Sequence, residues 1–283
     1  MKHCVIITAY KDVCQINKLI EAIPLEWGIF LHLDKKSDIS ICEINHRAHS
    51  YKLKNIYWGG REHVEAILDM LRIAYLQEKS YDFYHIITGQ DYFSSPPIKF
   101  DDILGHEGYS YMECFQITDN MEWMGYDILR YRQLSSYCNI RRKIPHFCNK
   151  IVKGLQIVLN RKREIPQYPI YGGSVYCDLT REAVKEILTN PITSDLLDRI
   201  KDSWSGEEIF FQTILMNSKQ KDKIIARRLR YIDWPGPKIL TSKDYCDIIS
   251  SKTLFCRKLD LEKSWELYDQ LESFIKNEGE SIL

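Results

Sequence analysis

The stretch CVIITA at residues 4–9 is an apolar run near the start of the chain, and it predicts a strand that is buried on both faces. Apolar residues at three- and four-residue spacing follow it from Val13 to Ile23, which predicts an amphipathic helix. The alternation continues with predicted strands at 28–33, 55–58 and 84–88 and a predicted helix at 63–77. Strands that alternate with helices indicate an α/β protein with a mostly parallel central sheet flanked by helices.

Polar side chains recur where the predicted strands end. These side chains are Tyr10, Asp34, Trp58 and Asp91. Ligands of open α/β sheets bind beyond the carboxyl ends of the strands, so residues 1–104 are expected to form a nucleotide-binding half. Residues 105–283 would form the acceptor and catalytic half of a single domain spanning residues 1–283. Neither G-x-G-x-x-G nor G-x-x-x-x-G-K-[ST] occurs, which argues against a dehydrogenase or a P-loop NTPase.

Composition narrows the class of function. The chain carries 39 basic and 39 acidic residues, so its overall charge does not indicate nucleic-acid binding, and none is expected. Nine cysteines without a C-x-x-C pair argue against zinc and redox sites and favour a reducing compartment. No apolar run reaches the length of a membrane span, so we expect a cytoplasmic protein, at most peripheral to a membrane. The 18 tyrosines suit either a carbohydrate site or a tyrosine-rich core.

Two stretches in the last third of the chain carry the chemistry. SGEEIFFQT at residues 205–213 places two adjacent carboxylates at the predicted start of an apolar helix, and LFCRK at residues 254–258 ends an apolar run with two cations. A carboxylate can act as a general base and a pair of cations can neutralise a diphosphate, which predicts transfer of a group from a nucleotide-diphosphate donor. Structural interpretations stay open, since Ser205 and Glu208 match a capping box and a basic pair is commonly a solvated edge.

Seven short motifs then fall into one order along the chain. They are His32-Leu33-Asp34 with Lys36-Ser37, Trp58-Gly59-Gly60, Thr88-Gly89-Gln90-Asp91-Tyr92, Gly173-Ser174, residues 205–213, Tyr231-Ile232-Asp233-Trp234 and residues 254–258. This series resembles the core-2/I-branching β-1,6-N-acetylglucosaminyltransferase family, which also includes the peptide O-xylosyltransferases, and the chain looks like a compact bacterial-type member. The resemblance implies a GT-A type glycosyltransferase fold and an inverting transfer from a UDP-sugar. N-acetylglucosamine is the favoured sugar, with UDP-xylose or UDP-glucuronic acid as alternatives, and no metal or other cofactor is expected because basic side chains take the metal's place.

The resemblance also implies a set of site residues. Glu208 aligns with the family's catalytic base, but Gly206 and Glu207 stand where the family has Pro and Asp, so which of the two carboxylates acts stays open. The other implied contacts are Arg257, Lys258 and Lys238 to the donor diphosphate, Ala9 and Asp34 to the uridine, Gly173 and Ser174 to the donor sugar, and Tyr231, Trp234, Glu113, Glu122 and Arg130 to the acceptor. Core packing is the alternative for the two aromatic residues, and Asp91 is expected to make structural hydrogen bonds.

A basic segment occupies the middle of the chain. Residues 141–163 contain eight lysines and arginines and no acidic residue, interleaved with apolar residues at helical spacing. The segment is interpreted either as a packed helix with a solvated basic face or as a peripheral contact with an anionic membrane. The expected acceptor is a hydroxyl of a surface polysaccharide glycan or of a lipid-linked oligosaccharide. A metal-dependent transferase and an inactive carbohydrate-binding relative are the competing functions.

Overall fold

The central strand of the fold is β1, His3–Ala9, all of whose residues are buried. The computed structural model to which it belongs describes residues 1–119, 121, 126–234, 236 and 238–280. The further strands are β2 Gly28–Leu33, β3 His49–Tyr51, β4 Phe83–Thr88, β5 Asp91–Phe93, β6 Ser110–Tyr111, β7 Phe115–Gln116, β8 Tyr171–Gly172, β9 Asp178–Thr180, β10 Ile224–Ile225, β11 Arg230–Ile232 and β12 Phe255–Arg257. The α-helices are α1 Val13–Ala22, α2 Arg61–Tyr75, α3 Phe100–Leu104, α4 Asp127–Arg130, α5 Lys143–Val158, α6 Arg181–Thr189, α7 Pro191–Arg199, α8 Glu207–Met216, α9 Tyr245–Ser250 and α10 Trp265–Glu280.

The strands form one main sheet and two small ones. The main sheet has the order β10-β6-β9-β4-β1-β2-β3. Strands β4, β1, β2 and β3 run parallel, whereas β9 is antiparallel to both of its neighbours. A smaller sheet has the order β11-β12-β5, and β7 pairs with β8. The predicted α/β class, with a mostly parallel central sheet flanked by helices, is therefore confirmed.

Both faces of the main sheet are covered by buried apolar side chains. Successive strand residues point to opposite faces, and in β1 Cys4 and Ile6 join one buried cluster while Val5 and Ile7 join the other. The first cluster packs the sheet against α2, α6 and α8, and the second packs it against α1, α10 and the small sheet. This double burial is the reason that β1 can consist of an unbroken apolar run.

The prediction of a strand at residues 55–58 is wrong. The third strand is β3, His49–Tyr51, and it precedes that stretch. The amide of Ile56 donates to the Asp34 carboxylate at 3.2 Å, and the amide of Gly60 closes a turn on the carbonyl of Tyr57 at 3.0 Å. An Ile56 amide bonded to a side chain and a Tyr57 carbonyl bonded in a turn are not available to a neighbouring strand.

The stretch 172–179 is divided between β8 and β9. Between them, the amide of Gly173 donates to the carbonyl of Glu208 at 2.8 Å and the amide of Ser174 to the Glu113 carboxylate at 3.1 Å. These bonds tie the segment to α8 and to the loop between β6 and β7. Thr180 caps α6, because its hydroxyl accepts from the third amide of that helix.

Candidate active site

Three chain segments meet at the carboxyl ends of the parallel strands. The amide of Gly89, just after β4, donates to the carbonyl of Thr8 in β1 at 3.0 Å. The amide of Leu259, just after β12, donates to the carbonyl of Gln90 at 2.9 Å. The basic pair at the end of β12 is thereby brought to the edge of the sheet at which α/β proteins bind their ligands.

Arg257 is held in a fixed position at this edge. Its side chain is 8% exposed, and its guanidinium lies 3.5 Å from the carboxylate of Asp91, the residue that pairs with it across β5 and β12. It also lies 4.2 Å from the ring centre of Tyr176 and 3.4 Å from the Thr88 hydroxyl. The fully buried Asp91 carboxylate accepts from the amide of Thr88 as well, which agrees with the structural hydrogen bonds expected of it.

Lys258 belongs to a cluster of positive charges. Burial, together with the charges of Lys11, Arg257 and Arg141, lowers the pKa of Lys258. Within the described part of the chain, no carboxylate lies at ion-pair distance from its ammonium group, and Lys11 reaches Asp260 only at 3.9 Å. Four cations, of which Arg257 pairs with Asp91 and Lys11 with Asp260, leave an excess of positive charge that suits an anion. Arg141 joins this cluster although the sequence assigned it only to the basic segment.

Lys238 lies outside this cluster of cations. Its ammonium group is paired with the carboxylate of Asp244 at 2.9 Å and with that of Asp233. Two carboxylates already neutralise its charge, so we leave it out of the diphosphate site.

The two carboxylates of the first stretch open α8, but not through a capping box. The N-cap of α8 is Gly206, which has no side-chain cap bond, and Ser205 adopts a positive φ of 58°. The amide of Glu208 donates to the main-chain carbonyl of Ser205 at 3.0 Å. The capping-box interpretation of Ser205 and Glu208 is therefore wrong, because neither side chain caps the start of α8.

Glu207 and Glu208 have different surroundings, and both have raised pKa values. Burial and the charge of Glu113 raise the pKa of Glu208 to about 7. Burial and the charge of Glu208 raise the pKa of Glu207 to about 8, and its side chain is 8% exposed. One oxygen of Glu207 has no hydrogen-bond partner among the described residues. Glu208 is half-buried whereas Glu207 is buried, so Glu208 is the more accessible of the two, which is what a general base requires.

Glu113, Gly173 and Ser174 come together beside Glu208. The Glu113 carboxylate accepts from the amide of Ser174 at 3.1 Å and from Arg228 at 3.2 Å. A Cβ atom at position 173 would lie 2.0 Å from the carbonyl oxygen of Glu113. Only glycine fits at that position, and the close backbone approach fixes the Glu113 segment against the start of α8.

Tyr176 adjoins both the carboxylates and the cations. The Arg257 guanidinium lies over its ring. Burial raises the pKa of Tyr176 to about 12, with Arg257 opposing the rise and Glu207 and Glu208 adding to it. Sequence analysis assigned no role to Tyr176, because no motif includes this aromatic residue three positions after Gly173.

A cavity of about 860 Å³ opens next to the start of α8. Its lining includes Trp58, Asp119, Arg130, Arg141, His146 and Trp204. The two tryptophan rings lie 5.3 Å apart, and the Arg141 guanidinium lies 3.9 Å from the ring centre of Trp58. The indole nitrogen of Trp204 has no hydrogen-bond partner among the described residues. Since Trp204 directly precedes Ser205 and Arg141 belongs to the cation cluster, the cavity lies next to both the carboxylates of α8 and the cation cluster.

The two aromatic residues that the resemblance implies at the acceptor, Tyr231 and Trp234, do not line this cavity. Tyr231 pairs with Cys256 in β12 and packs against the second apolar cluster, so its side chain faces away from that of Arg257. Trp234 is 58% exposed, and neither residue lines the cavity. Arg130 does line it and lies 2.7 Å from Asp119. Glu122 lies outside the described residues.

The two positions assigned to uridine lie at strand ends, as expected. Ala9 is 5% exposed, and its carbonyl accepts from the amide of Asp34 at 2.8 Å. The Asp34 carboxylate accepts from the amides of Lys36 at 2.9 Å and Ile56 at 3.2 Å and pairs with the Lys36 ammonium group at 3.0 Å. Asp34 therefore organises the loop after β2. In the described part of the chain, no group of three or more His, Cys, Asp or Glu side chains could hold a metal ion.

Comparison with known proteins assigns the chain to a family. The family model for the Core-2/I-Branching enzyme matches residues 26–254. A search of curated proteins finds no match. Among solved structures, the apo form of the bifunctional glycosyltransferase WbbM is similar at 12% identity and a TM-score of 0.39, over 90% of this chain and 45% of that one. The match to the family model covers most of the chain, including the Glu113, Gly173 and Glu208 region, so the protein belongs to the Core-2/I-branching enzyme family of glycosyltransferases.

Proposed function

We propose that this protein is an inverting GT-A type glycosyltransferase that moves a sugar from a UDP-sugar to a glycan hydroxyl without a metal ion. N-acetylglucosamine is the favoured sugar. The observation that carries the proposal is the segment 173–176: the amide of Gly173 donates to the carbonyl of Glu208 at 2.8 Å, and the ring centre of Tyr176 lies 4.2 Å from the guanidinium of Arg257. A base and a diphosphate-binding cation on the two sides of one reaction centre are what a single displacement at a sugar requires.

Glu208 acts as the base in this proposal. The acceptor oxygen attacks the anomeric carbon as its proton passes to the Glu208 carboxylate, and the bond from that carbon to the diphosphate oxygen breaks. The configuration inverts because bond formation and bond breaking occur on opposite faces. A pKa of about 7 leaves much of Glu208 ionised at neutral pH while keeping it basic enough to take the proton.

The cation cluster receives the leaving group. Arg257 offers a planar fork to phosphate oxygens and Lys258 a compact charge, with Lys11 and Arg141 beside them. Arg257 is positioned before the donor arrives, because Asp91 and Tyr176 already fix its guanidinium. The negative charge that develops on UDP would then be stabilised by groups that need not move.

The cavity beside Trp204 is the proposed acceptor site. Sugar rings present apolar faces that stack on aromatic side chains, and Trp58 and Trp204 supply such surfaces. The polar groups of Arg130 and Asp119 can bond to hydroxyls. We propose a glycan or lipid-linked oligosaccharide as the acceptor.

A donor screen tests the proposal. The purified protein is incubated with UDP-N-acetylglucosamine, UDP-xylose, UDP-glucuronic acid and, as a control, GDP-mannose, and release of the nucleoside diphosphate is measured with EDTA or with manganese. We expect release of UDP from UDP-N-acetylglucosamine above the others, equal in EDTA and in manganese. Activity in manganese alone would favour a metal-dependent transferase. UDP binding without turnover of any donor, even with oligosaccharide acceptors present, would favour an inactive carbohydrate-binding relative.

A further inference from the structure

Helix α5, Lys143–Val158, is attached to the rest of the protein by its polar side. Asn149 donates to the side chain of Gln133 at 3.0 Å, and the ammonium group of Lys153 lies 2.9 Å from the Asp127 carboxylate. Gln156 donates at 2.9 Å to a backbone carbonyl in the segment that precedes the helix. The buried residue of α5 is the polar Asn149. A helix that packs on a protein core normally buries apolar residues instead.

The apolar side of the same helix faces outward. The exposed fractions are 77% for Ile144, 65% for Phe147, 45% for Ile151, 55% for Leu155 and 83% for Val158. Steps of three and four residues separate these positions, so they form one continuous face. Five large apolar side chains on one exposed helix face indicate a surface that is covered by something apolar.

The charges beside the apolar face of α5 indicate what kind of partner covers it. Five cations of the basic segment are exposed and make no ion pair with any described residue: Arg142, Lys143, Lys150, Arg161 and Lys162. The other three contact the body of the protein, Arg141 through Trp58, Lys153 through Asp127 and Arg163 through Ser203. A second copy of this chain docked on the same face would bring like charges together, because a two-fold interface uses the same patch twice. An apolar face rimmed by cations is complementary to an anionic lipid bilayer.

We propose that α5 is a membrane-docking helix that lies in the plane of an anionic bilayer. Its apolar face would enter the boundary between head groups and acyl chains, and the cations would lie against the lipid head groups. In the described part of the chain, no helix is long and apolar enough to cross a membrane, so this contact is peripheral. The inner side of α5 lines the cavity through Lys143, His146 and Lys153, so docking would place the proposed acceptor site next to the lipid surface.

Vesicle co-sedimentation of the whole protein tests this proposal. The vesicles consist of phosphatidylcholine alone, or of phosphatidylcholine with about one third phosphatidylglycerol, since anionic lipid attracts basic segments. We expect binding to the anionic vesicles at low salt, at least tenfold weaker binding to the neutral ones, and weakening at high salt because salt screens the attraction. The readout needs no donor or turnover, so it is independent of the proposed function.

Matched variants test whether vesicle binding depends on α5 or on any exposed apolar residue. Val158→Asp and Leu155→Asp on the apolar face, and Lys150→Glu on its rim, should each lower the bound fraction several-fold. Leu25→Asp is the control, since Leu25 is 84% exposed, as Val158 is at 83%, but lies between α1 and β2. Equal melting temperatures would show that all variants fold. The proposal is overturned if wild-type protein does not bind anionic vesicles at low salt, if Leu25→Asp weakens binding as much as Val158→Asp, or if sedimentation shows a dimer that Leu155→Asp dissociates.

Discussion

At the scale of single residues, the environment rather than the residue type separates the two neighbouring carboxyl groups of α8. Glu207 and Glu208 are chemically identical, yet burial and the charge of Glu208 raise the pKa of Glu207 to about 8, whereas burial and the charge of Glu113 raise the pKa of Glu208 to about 7. The structure thereby supplies a criterion that the sequence did not contain, since the sequence left both residues as candidates for the base.

The pH dependence of kcat/KM should report the ionisation of Glu208. A base must be deprotonated to act, so activity should be lost as the pH falls through about 7, the raised pKa of this group. Glu113→Gln removes the neighbouring negative charge that helps to raise that pKa, so the acid limb should move to lower pH. The measurement is an initial-rate profile from pH 5 to 9. A limb near pH 4, or one that Glu113→Gln leaves in place, would contradict the assignment.

The cation cluster should determine the affinity for UDP. Lys258→Ala should weaken UDP binding roughly tenfold or more and lower kcat/KM with it, because the diphosphate carries its charge in both the ground state and the transition state. Arg141→Ala should weaken UDP binding in the same direction. Isothermal titration with UDP measures both effects.

Lys238→Ala is the matched control for these variants, because its ammonium group is already neutralised by Asp233 and Asp244. Its UDP affinity should equal that of the wild type. A loss of affinity in Lys238→Ala, or none in Lys258→Ala, would reverse the assignment of the two lysines.

Sequence motifs nominated Glu208, Arg257, Lys258 and Gly173, and the resemblance implied Glu113 as an acceptor contact. Motifs can nominate such residues because their chemistry recurs at fixed positions within short stretches. Tyr176, Trp204 and the placement of Arg141 escaped the sequence because their significance lies in contacts between distant parts of the chain. No local pattern encodes that Arg141 lies over the ring of Trp58.

At the scale of elements, burial explains which predictions succeed. Residues 28–33 were predicted as a strand and form β2 with the same bounds, because a parallel strand buried on both faces is an apolar run that no other element imitates at that length. The predicted strand at 55–58 contains apolar residues too, but its Ile56 amide donates to a carboxylate and its Tyr57 carbonyl accepts in a turn. Hydrogen bonds from distant side chains cannot be read from periodicity.

A buried ionic network joins the two sheets and gives a stability prediction. The guanidinium of Arg230 in β11 bonds to both oxygens of Asp178 in β9 at 3.1 Å, and His85 in β4 lies 2.7 Å from the same carboxylate. All three side chains are fully or almost fully buried. Arg230→Met should lower the free energy of unfolding by about 3–5 kcal/mol, because it leaves a buried carboxylate without its main partner.

Urea unfolding followed by circular dichroism measures this loss. The double variant Arg230→Met with Asp178→Asn should recover part of it, since the second change removes the stranded charge. A loss below about 1 kcal/mol in the single variant, in the range of exposed ion pairs, would show that the network contributes little.

At the scale of the whole molecule, the site combines residues inside the family match with residues just outside it. The match to residues 26–254 includes Glu113, Gly173 and Glu208, whereas Arg257 and Lys258 lie just beyond it. The fold joins them, because β12 pairs with β5 and so places Arg257 opposite Asp91 at the carboxyl edge of the main sheet. The assignment of the base therefore rests on family and geometry together, and that of the cations on geometry and motif.

The most direct test of the account compares turnover of Glu208→Gln with that of Glu207→Gln, with UDP affinity measured on the same preparations. Glutamine keeps the shape of glutamate and mimics its protonated form. Glu208→Gln should therefore lower kcat by about 100-fold or more and leave UDP affinity unchanged, because it removes only the base. Glu207→Gln should keep most of the activity, because Glu207 is already largely protonated near pH 7. A large loss of kcat in Glu207→Gln, together with near wild-type kcat in Glu208→Gln, would contradict the account.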